Sequence, residues 1–420
     1  MELTSDQTKA LTEFNLFMLD PTEKIMVLRG YSGTGKTALI SFILKNIDEQ
    51  LNAYSSMLGL KHTKANVLLT ATTNKAAKVL GEFTQQMPKT IHSLIGLRVV
   101  NDYNTGKQSL KKTRDYQVHR DSILIVDEAS FVDEGLLEYI EKATLNCKVL
   151  FVGDPCQLTP TKASTCPVFN LPVRNAELRE TVRTKDKNSD ITSTAFLYRD
   201  TVLSKAFPVA DFNGTQIIHA DRTVMRQCIK DEFVNKSNAD VKILAWTNGQ
   251  VHKYNDYIRK LQGLSSQFSV GEKVVTNKPM LGSISRVVTD SILTITGIDP
   301  EEDRSGVLGK PVTLNDSFRT FLPNDQLKVN QLLKHLAKHK NWKDYFHIKD
   351  TWADLRSLHA CTVHKSQGST YETVFIDLDD ISRCNIWSDV ARMLYVGISR
   401  ASEKVIVYGS LPAKYDNTRF

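Results

Sequence analysis

One loop constrains the fold of this chain more than any other segment: Gly30-Tyr31-Ser32-Gly33-Thr34-Gly35-Lys36-Thr37. It matches the G-x-x-x-x-G-K-[ST] pattern, follows an apolar run at Ile25–Leu28 and precedes a helix-like run at Ala38–Asn46, the context that marks a phosphate-binding loop. Its glycines let backbone N–H groups approach phosphate oxygens, and the helix that follows adds its positive end. We expect Lys36 to reach the β- and γ-phosphates and Thr37 to hold Mg²⁺. The predicted nucleotide-binding residues of the loop are Gly30, Ser32, Gly33, Thr34, Gly35, Lys36 and Thr37.

Two adjacent acids follow a second apolar run, Ile123–Val126. A buried strand that ends in Asp127 and Glu128 places Asp127 beside the metal and Glu128 where it polarises a water for attack on the γ-phosphate. A later run leads into Asp154-Pro155-Cys156-Gln157, and Gln157 is suited to a hydrogen bond with the γ-phosphate. The pattern predicts ATP hydrolysis.

Short β-branched runs recur along the chain, which is typical of strands buried on both faces of a parallel sheet. They are Ile25–Leu28, Val67–Leu69, Ile123–Val126, Val149–Val152, Ile243–Ala245, Val374–Ile376 and Val405–Val407. Four precede residue 155 and three follow residue 240, so the sequence predicts an α/β protein with two cores. Two stretches break this rhythm. Residues 97–120 predict a basic hairpin with Asn104-Thr105-Gly106 at its bend, and residues 268–355 predict a small β-barrel followed by a helix at about 325–340.

The net charge of +7 suits a polyanionic partner but does not establish one. The six cysteines lie far apart without a C-x-x-C pair, which favours reduced thiols over a zinc site or a disulfide framework. No apolar run approaches the roughly 18 residues that span a bilayer. We therefore expect a soluble cytoplasmic protein without a membrane partner.

The order of motifs resembles superfamily 1 helicases, specifically their RecD-like (Dda-type) branch. The resemblance covers most of the chain and is carried by Leu3–Gln7 (Q motif), Gly30–Thr37 (motif I), Thr70–Ala77 (Ia), Thr90–Ser93 (the T-x-H-S element), Asp127–Ser130 (II), Gly153–Pro160 (III), Leu178–Thr184 (IV), Leu244–Asn248 (the T-N element), Thr362–Ser369 (V) and Leu394–Ala401 (VI). Motif Ia departs from the common A-P-T pattern, because Thr72 stands in place of the proline and Asn74 in place of a histidine of the phage relative.

The resemblance implies two RecA-like P-loop NTPase cores with parallel sheets, an inserted β-hairpin and an inserted small β-barrel with a helical extension. The implied boundaries are 1–96 and 121–177 for the first, ATP-binding core, 97–120 for the hairpin, 178–267 and 356–420 for the second core, and 268–355 for an SH3-like barrel with its helical extension. It implies ATP and Mg²⁺, with Thr37 and Asp127 at the metal. Gln7 is expected to read the adenine edge, and Gly368 to lie in the nucleotide site. Arg183 and Arg400 are expected to reach the γ-phosphate, completing a catalytic set with Lys36, Asp127, Glu128 and Gln157.

The resemblance also implies a strand-binding track across both cores. The residues expected to contact the strand are Thr73, Asn74, His92, Thr247, Asn248, Thr362 and His364. Most carry short hydroxyl or amide side chains, which suit phosphate contacts that position a strand without reading its sequence. Trp342, Trp352, Tyr345 and Phe346 either stack on bases or anchor the inserted helix onto the barrel. The hairpin either wedges the duplex open or is a solvated loop.

The expected function is ATP-dependent movement on single-stranded DNA with unwinding of partial-duplex DNA, 5′-to-3′ by analogy with the RecD-like branch. A nucleotide-gated single-strand-binding adaptor and an RNA helicase are the alternatives. The likeness to phage relatives suggests a bacteriophage enzyme of DNA replication, recombination or repair in the host cytoplasm, with single-strand-binding or replication proteins as further partners.

Overall fold

A computed structural model describes residues 2–57, 59, 64–159, 166–182, 189–209, 211–236, 240–282 and 285–415. The strands are β1 Ile25–Gly30, β2 Val67–Ala71, β3 Lys89–Thr90, β4 Leu97–Asn101, β5 Gln108–Lys112, β6 His119–Arg120, β7 Ile123–Asp127, β8 Thr144–Leu145, β9 Lys148–Gly153, β10 Arg174–Leu178, β11 Ile217–Ala220, β12 Val241–Ala245, β13 Lys273–Thr276, β14 Met280–Leu281, β15 Arg286–Val287, β16 Ile292–Ile298, β17 Glu302–Arg304, β18 Val307–Leu314, β19 Phe318–Pro323, β20 Leu355–Arg356, β21 Ala360–Thr362, β22 Tyr371–Asp377 and β23 Ala401–Tyr408. The α-helices are α1 Ser5–Leu19, α2 Lys36–Met57, α3 Asn74–Thr84, α4 Ile91–Leu94, α5 Glu134–Ala143, α6 Asp190–Ser204, α7 Arg222–Lys230, α8 Asn248–Leu261, α9 Gln326–Lys338, α10 Trp342–Thr351, α11 Val363–Ser366, α12 Leu378–Ile381 and α13 Trp387–Ile398.

The first core is a parallel sheet in the order β10-β1-β9-β7-β2-β3. Its central strands are apolar on both faces because helices cover each side, with α1 and α2 on one face and α5 on the other. All four apolar runs predicted before residue 155 are strands of this sheet. β10 and β3 escaped prediction because they are short and half polar, as edge strands often are.

The second core is a parallel sheet in the order β11-β23-β22-β12-β21. The three later runs form β12, β22 and β23, and α6 and α13 pack on one face while α7 and α8 pack on the other. The predicted fold class, α/β with two parallel cores, is confirmed.

A third, antiparallel sheet interrupts the second core in sequence. Its strands run in the order β17-β18-β16-β13-β20, with β19 paired to β18. Val329 and the leucines of α9 pack against this sheet, and α10 comes next along the chain. The closure of this sheet into a small barrel stays a prediction. The hairpin of β4 and β5 projects from the first core as a separate two-stranded unit.

Candidate nucleotide site and strand groove

The phosphate-binding loop joins β1 to α2, and its glycines are required by its geometry. Gly33 and Gly35 have φ values of 79° and 78°, a region that disfavours side chains. A Cβ on Gly35 would also lie 2.5 Å from Nε2 of Gln7. Lys36, the first residue of α2, donates from Nζ to the carbonyl oxygens of Gly30 at 2.7 Å and Tyr31 at 3.0 Å. The lysine therefore lies over the loop on the side where phosphates are expected.

Gln7 supports this loop from beneath. Its side chain completes a capping box with Thr4 at the start of α1, and its Nε2 donates to the carbonyl oxygen of Thr34 at 3.2 Å. Because Gln7 is buried, its amide contacts are with the protein itself. The structure thus gives Gln7 a loop-bracing position, and its reading of adenine stays a prediction.

Asp127 and Glu128 lie at the carboxyl end of β7, in the middle of the first sheet. Burial raises the pKa of both carboxyl groups, and for Asp127 the charge of Glu128 adds to the effect. Oε2 of Glu128 is a buried oxygen without a hydrogen-bond partner among the described residues. Glu128 also has a φ of 51°, so the backbone is strained where the acid enters the site.

Thr72, the residue that departs from the family pattern, holds this strained peptide. Its Oγ1 donates to the carbonyl oxygen of Glu128 at 2.9 Å, and its N–H donates to that of Asp127 at 3.2 Å. A proline at this position has neither donor. The departure in motif Ia therefore links the start of α3 to the acidic pair.

The acidic pair suits a divalent cation for which the protein supplies only some of the ligands. Among the described residues no group of three or more metal-binding side chains is clustered. Mg²⁺ typically keeps several waters and takes one or two carboxylates together with substrate phosphates. Asp127, with Thr37 at the start of α2, fits that mode, and the unpartnered oxygen of Glu128 is available to a water.

Two side chains of the second core reach the phosphate loop of the first: Tyr395 in α13, and Arg400 just after the end of that helix. Arg400 is buried and donates from Nη2 to Oγ of Ser32 at 3.2 Å. Tyr395 accepts from the N–H of Ser32 at 2.6 Å and donates to Oδ2 of Asp154 at 2.6 Å. The predicted arginine of motif VI thus lies at the loop. Arg183, the other predicted arginine, lies outside the described residues.

The Asp154–Gln157 turn is also held by the second core. Arg392 donates from Nη1 to the carbonyl oxygens of Pro155 and Gln157, both at 2.6 Å. Nε2 of Gln367 lies 3.4 Å from Oε1 of Gln157. The side chain of Gln157 is therefore buried at the junction of the two cores.

The threonines of the strand motifs share one local role: each caps a helix. Thr73, Thr90, Thr247 and Thr362 accept from backbone N–H groups at the first turns of α3, α4, α8 and α11. Helix N-termini carry free N–H groups and a positive potential, which attract phosphates. The structure therefore supplies helix ends, as well as hydroxyl groups, for a polyanion on both cores.

The hydroxyl of Thr247 is hydrogen-bonded within the second core, and its predicted strand contact stays a prediction. Oγ1 of Thr247 donates to Oδ1 of Asp380 at 2.8 Å while accepting from the N–H of Gln250, so its hydrogen is already used. Asn248 accepts from Nη1 of Arg356 at 2.7 Å, which brings that arginine to the same place. Arg356 and Asn248 both line the cavity beside α8.

A line of clefts connects these helix ends. Cavities of about 620, 730 and 880 Å³ run from α3 and α4, past the junction of the cores, to α8 and the antiparallel sheet. The first two share Asn74 and Lys78, and the last two share Asn277, Arg356 and Ser357. A side cavity of about 430 Å³, lined by Thr73 and His364, extends from this line to Glu128. The groove is therefore continuous with the acidic pair. His92, in α4 between the cavity-lining residues Thr90 and Ser93, is half-buried, and its strand contact stays a prediction.

Lys75 connects the two cores at a point between the groove and the acidic pair. Its Nζ donates to the carbonyl oxygen of Lys365 at 3.1 Å, and its chain passes close to Gly368, whose φ is 71°. Burial lowers the pKa of Lys75. Gly368 thus lines the groove and its side cavity, and its predicted contact with nucleotide stays a prediction.

The hairpin is docked on α10 rather than free. Gly106 at its bend packs against the Trp342 ring, and Tyr103 meets Phe346 edge-on with centroids 5.4 Å apart. Nδ2 of Asn101 donates to Oδ2 of Asp350 at 2.7 Å. Trp342 and Phe346 therefore anchor α10 to the hairpin, a contact that the sequence did not suggest. Trp352 is buried against Phe321 of the antiparallel sheet, which agrees with the predicted anchoring, while Tyr345 packs edge-on against Trp342 and Phe346.

Sequence reasoning missed Tyr395, Thr72, Lys75 and Arg392 as parts of the site. Tyr395 and Arg392 face the first core one helical turn apart, and only their presence in a strongly apolar helix gave a signal. All six cysteines are described and unpaired by disulfides. Within the described ranges no helix is both long and apolar enough to cross a bilayer.

Fold and site together define a nucleotide-hydrolysing motor domain pair. Family models match an AAA domain over residues 18–163 and a UvrD-like helicase C-terminal domain over residues 357–408. Together with the order of the motifs, these matches support a superfamily 1 helicase that hydrolyses ATP and is similar to proteins named as ATP-dependent DNA helicases. It is 24% identical over 450 residues to the ATP-dependent DNA helicase dda of Enterobacteria phage T4, covering 95% of this chain and 97% of that protein. It is 32% identical over 158 residues to the ATP-dependent RecD2 DNA helicase of Deinococcus radiodurans, covering 37% of this chain and 19% of that protein.

Two solved structures share the fold at low sequence identity. A Pif1 helicase structure described at forked double-stranded DNA has a TM-score of 0.54 and 15% identity, covering 100% of this chain and 95% of that one. A Bacteroides Pif1 helicase in complex with ADP-AlF3 and single-stranded DNA has a TM-score of 0.52 and 15% identity, covering 99% and 94%. These likenesses confirm the two-core fold.

Proposed function

We propose that this helicase moves along single-stranded DNA in the 5′-to-3′ direction and opens duplex DNA ahead of it. One observation carries the proposal of a motor: Arg400 of the second core reaches Ser32 in the phosphate loop of the first, and a groove crosses both cores. The 5′-to-3′ direction is supported by the resemblance to the RecD-like branch alone. DNA as the polymer is supported by the relatives, since dda and RecD2 are named as DNA helicases and the Bacteroides Pif1 structure contains single-stranded DNA.

In the first core, the loop amides and Lys36 are proposed to bind the phosphates of ATP. Thr37 and Asp127 would hold Mg²⁺, which neutralises phosphate charge when bound. Glu128 has the raised pKa and the unpartnered oxygen expected of a group that orients a water and takes up its proton. Thr72 fixes the backbone that aims this acid.

The second core contributes charge only when the cleft is closed. Arg400, with Arg183 as a proposed second arginine, stabilises the negative charge that develops during hydrolysis, an effect worth about 10³–10⁵ in rate. Gln157 responds to the γ-phosphate at the junction. Loss of that phosphate removes the contact that favours closure, so the cores part. The contact is present before hydrolysis and absent after it, so each turnover closes and then opens the cleft.

The groove holds the strand through its backbone. The N-terminal ends of α3 on one core and of α8 on the other are the two proposed grips. Because phosphate contacts read no sequence, each grip can release and rebind along the strand. Alternating grip between the cores yields directional steps.

The docked hairpin is proposed to part the duplex. Opening one base-pair step costs about 1.4 kcal/mol in stacking, so a wedge must be held rigidly against the load. Packing of Gly106 on Trp342 and of Tyr103 on Phe346 supplies that support. Such an activity serves DNA replication, recombination or repair, with single-strand-binding and replication proteins as the expected partners.

The deciding experiment compares two partial duplexes that differ only in the polarity of their single-stranded tail. We expect strand release from the 5′-tailed substrate with ATP, no release with a non-hydrolysable analogue, and no activity in Lys36→Ala. Release from the 3′-tailed substrate alone would reverse the polarity. ATPase activity that a strand does not stimulate would refute the motor in favour of a nucleotide-gated adaptor, and preference for a matched RNA strand would favour an RNA helicase.

A further inference from the structure

A single phenol group connects the two cores at the nucleotide site. Tyr395 lies in α13 and is fully buried, yet its hydroxyl uses both of its hydrogen-bonding capacities across the cleft. It accepts from the N–H of Ser32 at 2.6 Å and donates to Oδ2 of Asp154 at 2.6 Å. A phenylalanine would fill the same apolar space without burying a polar atom. Packing therefore does not account for the hydroxyl group.

The carboxylate of Asp154, which accepts this hydrogen bond, has few other donors available to it. Asp154 is fully buried, and its Oδ1 accepts from the N–H of Cys156 at 2.9 Å, which leaves Oδ2 to Tyr395. Burial raises the pKa of Asp154, and the charges of Lys36 and Arg400 oppose that rise. Separation of the cores would remove the donor from a desolvated carboxylate, which is costly.

Asp154 also begins the turn that presents Gln157. The carbonyl oxygen of Asp154 accepts from the N–H of Gln157 at 3.3 Å, so moving the aspartate moves the turn. The hydroxyl of Tyr395 thus connects two first-core segments, the phosphate loop and this turn, through a residue of the second core. Its position differs from that of Arg400, which contacts the side chain of Ser32 and not Asp154.

We propose that Tyr395 is a positioning residue: in the closed cleft its hydroxyl sets the Asp154–Gln157 turn against the phosphate loop, so that closure of the cores, beyond nucleotide binding alone, assembles the hydrolytic site. The proposal rests on the proposed motor function, because it assigns to the Tyr395 hydroxyl one of the links between core closure and turnover, beside those of Arg392 and Arg400. No contact between Tyr395 and the reacting phosphate is required.

The test replaces Tyr395 with phenylalanine and uses Tyr198→Phe as the matched control. Tyr198 is a buried tyrosine of the same hydrophobic cluster, and its substitution leaves the Ser32–Asp154 bridge intact. For both variants, kcat and KM of ATP hydrolysis are measured with and without saturating single-stranded DNA, together with Tm. We expect Tyr395→Phe to lose about tenfold or more in strand-stimulated kcat, the loss typical of buried hydrogen bonds, with KM changed by less than about threefold.

A structural role alone would lower Tm and leave the kcat of the folded protein unchanged. The proposal is overturned if Tyr395→Phe keeps a kcat within about twofold of Tyr198→Phe. If wild-type hydrolysis is not stimulated by a strand, the motor proposal fails by itself, and the same twofold criterion applied to unstimulated kcat decides the role of Tyr395. Asp154→Asn tests the bridge from its other end should Tyr395→Phe not purify: a matching loss of kcat supports the proposal, and an unchanged kcat overturns it.

Discussion

Gly106 lets the hairpin dock on α10 because it has no Cβ. The cost of adding that atom can be worked out from the structure, which gives a quantitative prediction. A Cβ on Gly106 would lie 2.3, 2.4 and 2.5 Å from three atoms of the Trp342 ring, closer than any real contact. Gly106 also has a φ of 70°, where a side chain adds strain. Gly106→Ala therefore combines a clash with a backbone penalty.

The two costs can be separated because the chain offers a matched glycine. Gly306 lies at the bend between β17 and β18 with a φ of 81°, and a Cβ there would meet nothing within 4 Å. The left-handed backbone costs an alanine about 1–2 kcal/mol at either position. The clash adds about 1–3 kcal/mol at Gly106 alone. This difference lowers the docked-to-undocked ratio of the hairpin by about 5- to 150-fold relative to Gly306→Ala.

The assay is single-turnover unwinding of a 5′-tailed partial duplex, with strand-stimulated ATPase activity measured in parallel. We expect Gly106→Ala to unwind more slowly than Gly306→Ala while both keep wild-type ATPase activity, because the hairpin lies outside the nucleotide site. Trp342→Ala is expected to be as slow, and the double variant no slower, since the clash needs the ring. Equal unwinding by Gly106→Ala and Gly306→Ala would refute the view that a docked hairpin parts the duplex.

Three further outcomes are expected. Arg400→Ala should retain nucleotide affinity, measured by fluorescent-analogue titration, while hydrolysis falls by about 10³-fold or more, and a fall below tenfold would contradict a transition-state role. Thr72→Val should lower kcat by about two- to tenfold with little change in Tm, because it removes one hydrogen bond to the Glu128 backbone, and an unchanged kcat would deny that link. Burial lowers the pKa of His92 and of His364, so each is protonated at a lower pH than a free histidine and adds less positive charge as the pH falls; strand affinity that rises as steeply as free-histidine titration, and is flattened by substituting either histidine, would contradict this.

The nucleotide half of the site was readable from sequence because its chemistry is local. A phosphate loop needs glycines, a lysine and a threonine at fixed spacing within one turn, and the acids directly follow a run of buried residues. The strands of both cores were readable because burial on two faces leaves uninterrupted apolar runs. Even the capping threonines leave a local pattern, a threonine one residue before a helix, although their motifs alone suggested direct hydroxyl contacts.

What joins the cores was decided by tertiary structure alone. Ser32 and Tyr395 are 363 positions apart, and Gly106 meets Trp342 only because an insertion of the second core folds back onto a hairpin of the first. No residue pattern specifies such pairs, since each of these residues is of a common type for the helix, hairpin or loop in which it lies. Their roles arise when the two sheets pack together and bury polar atoms, and a buried polar atom bonds to whichever partner the packing brings within reach.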